Sequence, residues 1–138
     1  METLQAQLTI LNRADQVLTK HGRLHPKQVR CLKLDGVRIS AKATSLCLPA
    51  NLIQQLGLAP LKEITALTTS GYQQMRVFQD AKISLCGREG IFQCLELPIG
   101  EPPLLGRIPL QDLGIEVDWQ TRQLSVLPDD NEQTYYRA

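Results

Sequence analysis

The chain has 138 residues, with 15 Lys and Arg against 14 Asp and Glu and a formal net charge of +1. That length predicts one domain with its own core, and 43% hydrophobic with 21% charged residues is the balance of an ordinary globular protein. A near-neutral chain excludes the global positive field that recruits nucleic acid or an anionic membrane, so neither is expected as a partner.

No apolar run approaches the ~18 residues of a membrane span. Met1-Glu2 followed by alternating polar residues carries no secretory leader, so a cytoplasmic setting is expected. Eight prolines and nine glycines are spread along the chain and cut it into short segments, which favours β structure.

Residues 3–11 carry β-formers at alternate positions and predict a first strand. Asn12 to Lys20 leaves two readings open: a helix capped by Asn12 with Ala14, Val17 and Leu18 inward, or a strand through Gln16 to Thr19. His21-Gly22 ends it, and Leu24-His25 is extended ahead of Pro26. His21 and His25 have the spacing of a helical metal pair. Gly22 and Pro26 break any helix there and no third ligand stands nearby, so loop histidines and no metal site are expected.

Gln28 to Leu34 predicts a half-buried strand and Asp35-Gly36 a tight hairpin turn. Val37 to Leu48 is the next strand, stopped by Pro49, and Ala50 to Leu56 a short helix closed by Gly57. Glu63 to Thr69 and Tyr72 to Phe78 form a hairpin through Thr69-Ser70-Gly71. Ala81 to Cys86 and Ile91 to Leu97 are two more strands joined by Gly87 to Gly90. After the stiff loop Gly100 to Pro103 come a short strand at Leu104 to Gly106 and a helical turn from Pro109 to Leu113. Ile115 to Asp118 and Gln123 to Leu127 close the domain as a hairpin through Trp119 to Arg122. The single domain is thus residues 1–128, and residues 129–138, which lack periodicity, read as a flexible C-terminal tail.

Cys31, Cys47, Cys86 and Cys94 lack the short spacing of a zinc site and sit in apolar or strand-like runs, as buried free thiols would. A Cys86–Cys94 cross-strand bridge is the alternative.

From Leu34 to Leu127 the order of motifs resembles one lobe of a retropepsin-like aspartic protease, most of all the small single-lobe bacterial members. The residues that carry the resemblance are Ala43-Thr44-Ser45-Leu46-Cys47-Leu48-Pro49, Leu56-Gly57-Leu58, Thr69-x-Gly71, Leu104-Leu105-Gly106 and Leu113-Gly114-Ile115-Glu116-Val117-Asp118. The resemblance implies a mainly β fold, a closed retropepsin-like barrel with one or two short helices. It gives Leu104, Leu105 and Gly106 a structural role, and it implies a homodimer or a heterodimer with a related chain.

The catalytic Asp-Thr/Ser-Gly triplet of that family falls on Ser40-Ala41-Lys42, which holds no acid. Asp35, Asp80, Asp112 and Asp118 belong to other elements. Aspartic proteolysis needs two carboxylates sharing a proton, and serine cannot replace an ionised base. Where the family has glycine, Lys42 sets a cation; two of them about 6 Å apart in a dimer would repel by ~3 kcal/mol at an effective dielectric near 20.

The expected function is therefore that of a pseudoprotease, a module for peptide or protein binding or for dimerisation, with no catalytic residue, cofactor or metal. Its peptide cleft would be lined by Lys42, Thr44, Thr69, Ser70, Gly71 and Tyr72, with strand pairing as the binding mode. Two alternatives stand beside it. One is a peptidase, completed by an Asp-bearing paralogue or using Ser40 and Lys42 as nucleophile and base, side chains that i and i+2 spacing puts on one face of a strand. The other is a structural subunit of a larger assembly.

Overall fold

The computed structural model describes residues 3–128. The expected tail at 129–138 lies outside the described residues. Strand β1 (Thr3–Asn12) leads into helix α1 (Arg13–Lys20), which decides between the two readings of that segment. Asn12 caps α1: its side chain accepts from the Asp15 amide at 3.1 Å. A 3-10 turn at Pro26–Gln28 then feeds β2 (Cys31–Ser40).

No hairpin forms at Asp35-Gly36. β2 runs straight through it, antiparallel to β1, and the register moves from Ala6↔Val37 to Leu8↔Leu34. One extra residue on β2 is thus accommodated as a bulge, with Gly36 at φ +71°, the left-handed conformation glycine adopts most easily. The bulge is needed because the apolar positions change parity there, from Leu32 and Leu34 to Val37 and Ile39.

The expected strand from Val37 to Leu48 is broken as well. β2 ends at Ser40, residues 41–45 form a loop, and β3 is Leu46–Pro49, followed by α2 (Ala50–Leu56). β4 (Ala59–Thr68) and β5 (Gly71–Leu85) make the next hairpin. β5 replaces two expected strands, with a second parity change inside it: Phe78 faces inward, and so do Ala81, Ile83 and Leu85. The register against β6 (Arg88–Leu97) shifts between Phe78 and Ala81, and Asp80 takes φ +65° in that bulge. The turn to β6 is Cys86-Gly87 alone, with positive φ at both residues, the geometry whose twist matches flanking strands.

β7 (Leu104–Leu105), α3 (Arg107–Leu113), β8 (Ile115–Asp118) and β9 (Gln123–Val126) complete the chain. α3 begins two residues earlier than expected, and α1, α2 and α3 exceed the one or two helices expected.

The main sheet has seven strands in the order β1-β2-β7-β3-β6-β5-β4, and β1 also pairs with β5 from Thr9↔Ser84 to Asn12↔Ala81. Pairing therefore runs from β1 through β2, β7, β3, β6 and β5 back to β1. β8 and β9 form a separate sheet of two strands. Inside sit Leu8, Ile10, Val37, Ile39, Leu46, Leu48, Leu56, Ile83, Cys94 and Leu105, all at 2% exposure or less. Burying a side chain of this size contributes about 1.5–3 kcal/mol. Among the described residues no helix is long and apolar enough to cross a membrane.

At the α1 end, Asp15 is buried and accepts from Arg30 Nε at 2.8 Å, Arg30 Nη2 at 3.0 Å and the Arg30 amide at 3.0 Å. Asn12 Nδ2 donates to the Leu56 and Gly57 carbonyls at 2.8 and 3.2 Å, which satisfies the end of α2. A Cβ on Gly57 would collide with the Arg30 guanidinium. These contacts tie α1, the start of β2 and α2 together.

Candidate functional site

β2 delivers Ser40 to the far end of the sheet, where only 6% of it is exposed. Its Oγ accepts from the Lys42 and Ala43 amides at 3.2 and 3.3 Å, which turns the chain away from the strand. The remainder of the loop is held by backbone that arrives much later. The Gly106 amide donates to the Ser45 carbonyl at 3.0 Å, Arg107 N to Ala43 O at 3.0 Å and Ile108 N to Thr44 O at 3.1 Å. The first amides of a helix have no partner inside it, so α3 and the loop satisfy each other.

Leu104 and Leu105 place that backbone. β7 runs parallel to β2 (Arg38↔Leu104, Ile39↔Leu105) and antiparallel to β3 (Leu46↔Leu105, Cys47↔Leu104), filling the space between them. Gly106 then passes so close to the loop that a Cβ would stand 2.5 Å from Ser45 N and from the Thr44 carbonyl carbon. The structural role expected for Leu104, Leu105 and Gly106 is thus a backbone fit.

A cleft of about 390 Å³ opens beside this loop, lined by Ser40, Ala41, Arg107, Gln111, Glu116 and Trp119 with apolar side chains of α3 and β8. Glu116, exposed on β8, is the one acidic residue among its described lining residues, and Arg107 is the one cation among them. A smaller cleft of about 110 Å³ lies between Ser45, Lys62, Ile64 and Cys94. Lys42, Thr44 and the four residues Thr69, Ser70, Gly71 and Tyr72 line neither of these two clefts.

Thr69 and Ser70 are instead the tip of the β4–β5 ribbon. There Thr68 Oγ1 donates to the Gly71 carbonyl at 2.7 Å and accepts from the Ser70 amide at 3.1 Å. Tyr72 faces Leu67 across the ribbon, 75% and 71% exposed respectively. The contacts between Lys42 and Ser40 run through the Lys42 backbone, and the Lys42 side chain is exposed.

The cysteines differ from expectation in two places. All four are free, which removes the Cys86–Cys94 bridge, and Cys31 and Cys86 are exposed rather than buried. Cys86 takes the first position of the tight turn, where its side chain points to solvent. Burial pushes the Cys47 thiol up to about 11, partly offset by the nearby charge of Arg38. Burial also raises Cys94, and the neighbouring Cys47 adds to it. Both are poor nucleophiles in the folded chain.

The hydrogen-bonded Arg30 guanidinium holds the Asp15 carboxyl below its ordinary range, against the opposing effect of burial. Asn12 followed by Asp15 was a readable cap signal, but nothing local marked Arg30 as the partner. Arg107 and Glu116 were likewise missed as cleft residues, because exposed charges at a helix start and on a strand have no sequence signature.

No known protein-family model matches the chain, and no curated protein sequence does.

Proposed function

We propose that the chain is a retropepsin-like domain without proteolytic chemistry, which binds an extended segment of a peptide or protein. The circuit of strand pairings is read as a closed barrel. Three features support the retropepsin-like reading: β7 threaded between β2 and β3, Gly106 against the loop, and α3 following at once. They fall on the residues that carry the sequence resemblance.

The observation behind the non-catalytic reading is the state of Ser40. At the position aligned with the family's acid, its hydroxyl is occupied as acceptor by two amides of its own turn. Paired carboxylates that share a proton are the requirement of the chemistry, and the acid on the neighbouring cleft is a single exposed Glu116 on another strand.

The binding reading rests on β4. It is the terminal strand of the sheet, paired only to β5 among the described residues, and Leu61, Leu67 and Tyr72 are exposed along the ribbon. An extended segment can add to such an edge through main-chain hydrogen bonds, with alternate side chains reading the ribbon surface. Pro60 and Lys62, on the same edge, are devices that discourage indiscriminate pairing.

The test is incubation with an unfolded protein substrate from acidic to neutral pH, alongside capture of the same substrate on the immobilised chain. Intact substrate retained on the chain supports the reading. Fragments that disappear with Ser40→Ala or Lys42→Ala would overturn it in favour of a peptidase.

A further inference from the structure

The net charge of +1 hides a local excess at the α1 end of the fold. Residues 13–33 hold six basic side chains (Arg13, Lys20, Arg23, Lys27, Arg30 and Lys33) and one acid, Asp15. Lys20, Arg23, Lys27 and Lys33 are exposed, whereas Asp15 is buried and engaged by Arg30. Three more charged groups reach this end from β5 and β6. Lys82 and Glu89 pair with each other at 3.0 Å, and Asp80 is half-buried in its bulge. Seven basic side chains thus stand against three acids, two of which are already held in ion pairs.

β4 starts against this surface. Asn12 Nδ2 donates to the Leu56 and Gly57 carbonyls, and Arg30 sets Nη1 over Gly57 while Asp15 engages its Nε and Nη2. Ala59, the first residue of β4, comes two residues after Gly57. It pairs with Gln79, two residues before the Ala81 that faces Asn12.

The edge of β4 therefore has two unlike ends. From Lys62 to Thr68 it pairs regularly with β5 on one side. Pro60 has no amide to donate, so strand addition along the other side stops there. At the ribbon tip, residues 64–75 contain no charged side chain. In the opposite direction, five residue steps from Lys62 back to Gly57 span about 16 Å and arrive at the Arg30 guanidinium.

Resting on β4 as the docking edge, we propose that the bound segment carries acidic residues directly C-terminal to its strand-forming part, held by the basic α1 end. β4 leads away from α1. A segment added antiparallel, the pairing β4 already makes with β5 and the more stable one per residue, therefore finishes its strand at the cations. The carbonyls of the β4 edge need donors, which a peptide backbone supplies and a phosphate backbone does not. Residues 13–33 also contain no aromatic side chain on which bases would stack. α1 has eight residues and no broad apolar face to enter a lipid surface.

The experiment is selection of random peptides of about twelve residues on the immobilised full chain, a length that covers the β4 edge and the flank beyond it at about 3.3 Å per residue. It is repeated on the variant Lys20→Glu, Arg23→Glu, Lys27→Glu, in which three exposed cations are reversed. The wild-type chain should enrich a run of β-formers followed by aspartate and glutamate, and the variant should keep the β-formers and lose the acids. For one selected peptide, exchanging three acids for their amides should weaken binding to the wild-type chain about tenfold at low salt, the combined worth of three exposed ion pairs. That difference should vanish at about 1 M salt, where the screening length is about 3 Å.

Selected β-forming peptides with no acidic bias, or with the acids ahead of the strand, would overturn the C-terminal flank and leave the docking edge standing. Acidic peptides without a β-forming run, or displacement of the selected peptide by double-stranded DNA, would reassign the basic end to a polyanion. No enrichment of any peptide would overturn the docking edge and the flank together.

Discussion

Gly106 and Ser45 meet backbone to backbone: the Gly106 amide donates to the Ser45 carbonyl at 3.0 Å, and a Cβ on Gly106 would stand 2.5 Å from the Ser45 nitrogen. The atoms in the way are main chain, so no side-chain rotation can make room. Gly106→Ala should therefore destabilise the fold by about 3 kcal/mol, the upper range of overpacking costs. Urea unfolding followed by circular dichroism reads this directly. A loss under about 0.5 kcal/mol, typical of an indifferent surface change, would mean the loop and β7 are not in contact.

Acid should unpick the other end of the molecule. The folded Asp15 carboxyl titrates below its ordinary value of 3.8 because Arg30 holds it ionised. A depressed carboxyl stabilises the fold fully above its ordinary value, and that contribution is lost as the pH falls from there through the folded value. Arg30 is half exposed, at 49%, so solvent screens the pair and the expected cost of Asp15→Asn at neutral pH is only about 1–2 kcal/mol. Thermal melts of both proteins should converge as the pH drops below that window. A gap that stays constant down to strongly acidic pH would remove the ion pair as its cause.

The bulge in β2 offers a cleaner conformational test. A Cβ on Gly36 would meet nothing closer than Gln5 Oε1 at 3.7 Å, so packing does not oppose a side chain there. Only φ does, at +71°. Gly36→Ala should cost about 1–2 kcal/mol, and Gly36→Asn less, since asparagine tolerates that conformation better. Equal losses in chemical denaturation would argue that the strand is regular at this point.

Thiol chemistry should split the cysteines evenly. Cys31 and Cys86 are exposed, while Cys47 and Cys94 are buried. Alkylation with iodoacetamide followed by mass spectrometry should label the first two promptly and the second two only on unfolding. Prompt labelling of Cys47 would contradict its burial and its raised pKa of about 11.

Both bulges were written in the sequence and were misread. In β2 the inward positions pass from even to odd numbers at Asp35-Gly36, and in β5 they do so at Gln79-Asp80. A change of parity fits either a turn between two strands or one extra residue within a strand. Glycine and aspartate suit both, so local chemistry could not decide. The partner strand decides it: β1 keeps Leu4, Leu8 and Ile10 on even positions throughout and demands an unbroken neighbour.

The loop at 41–45 falls inside what reads as one strand from Val37 to Leu48, so only its surroundings were legible. Pro49 and the helix after it were plain, as was the short run at Leu104 to Gly106. That this run inserts between β2 and β3 follows from pairings distant in sequence, which no window of residues contains. The same holds for Arg30 reaching Asp15. At Ser40 the absence of an acid is plain from the residue type, and the folded turn shows what the hydroxyl does instead: it accepts from the Lys42 and Ala43 amides.

β7 has a further consequence for how the molecule comes into being. β2 and β3 are finished early in the chain, yet they cannot zip to each other, because the strand that joins them is made late. Until Leu104 and Leu105 arrive, both strands expose an unpaired row of amides and carbonyls. Pairing across such separations is slow. The loop at 41–45 takes its shape in that late step, since three of its carbonyls wait for the amides of Gly106, Arg107 and Ile108. The larger cleft is accordingly a property of the completed domain, and a ribosome-bound chain that stops short of β7 has no such site to offer.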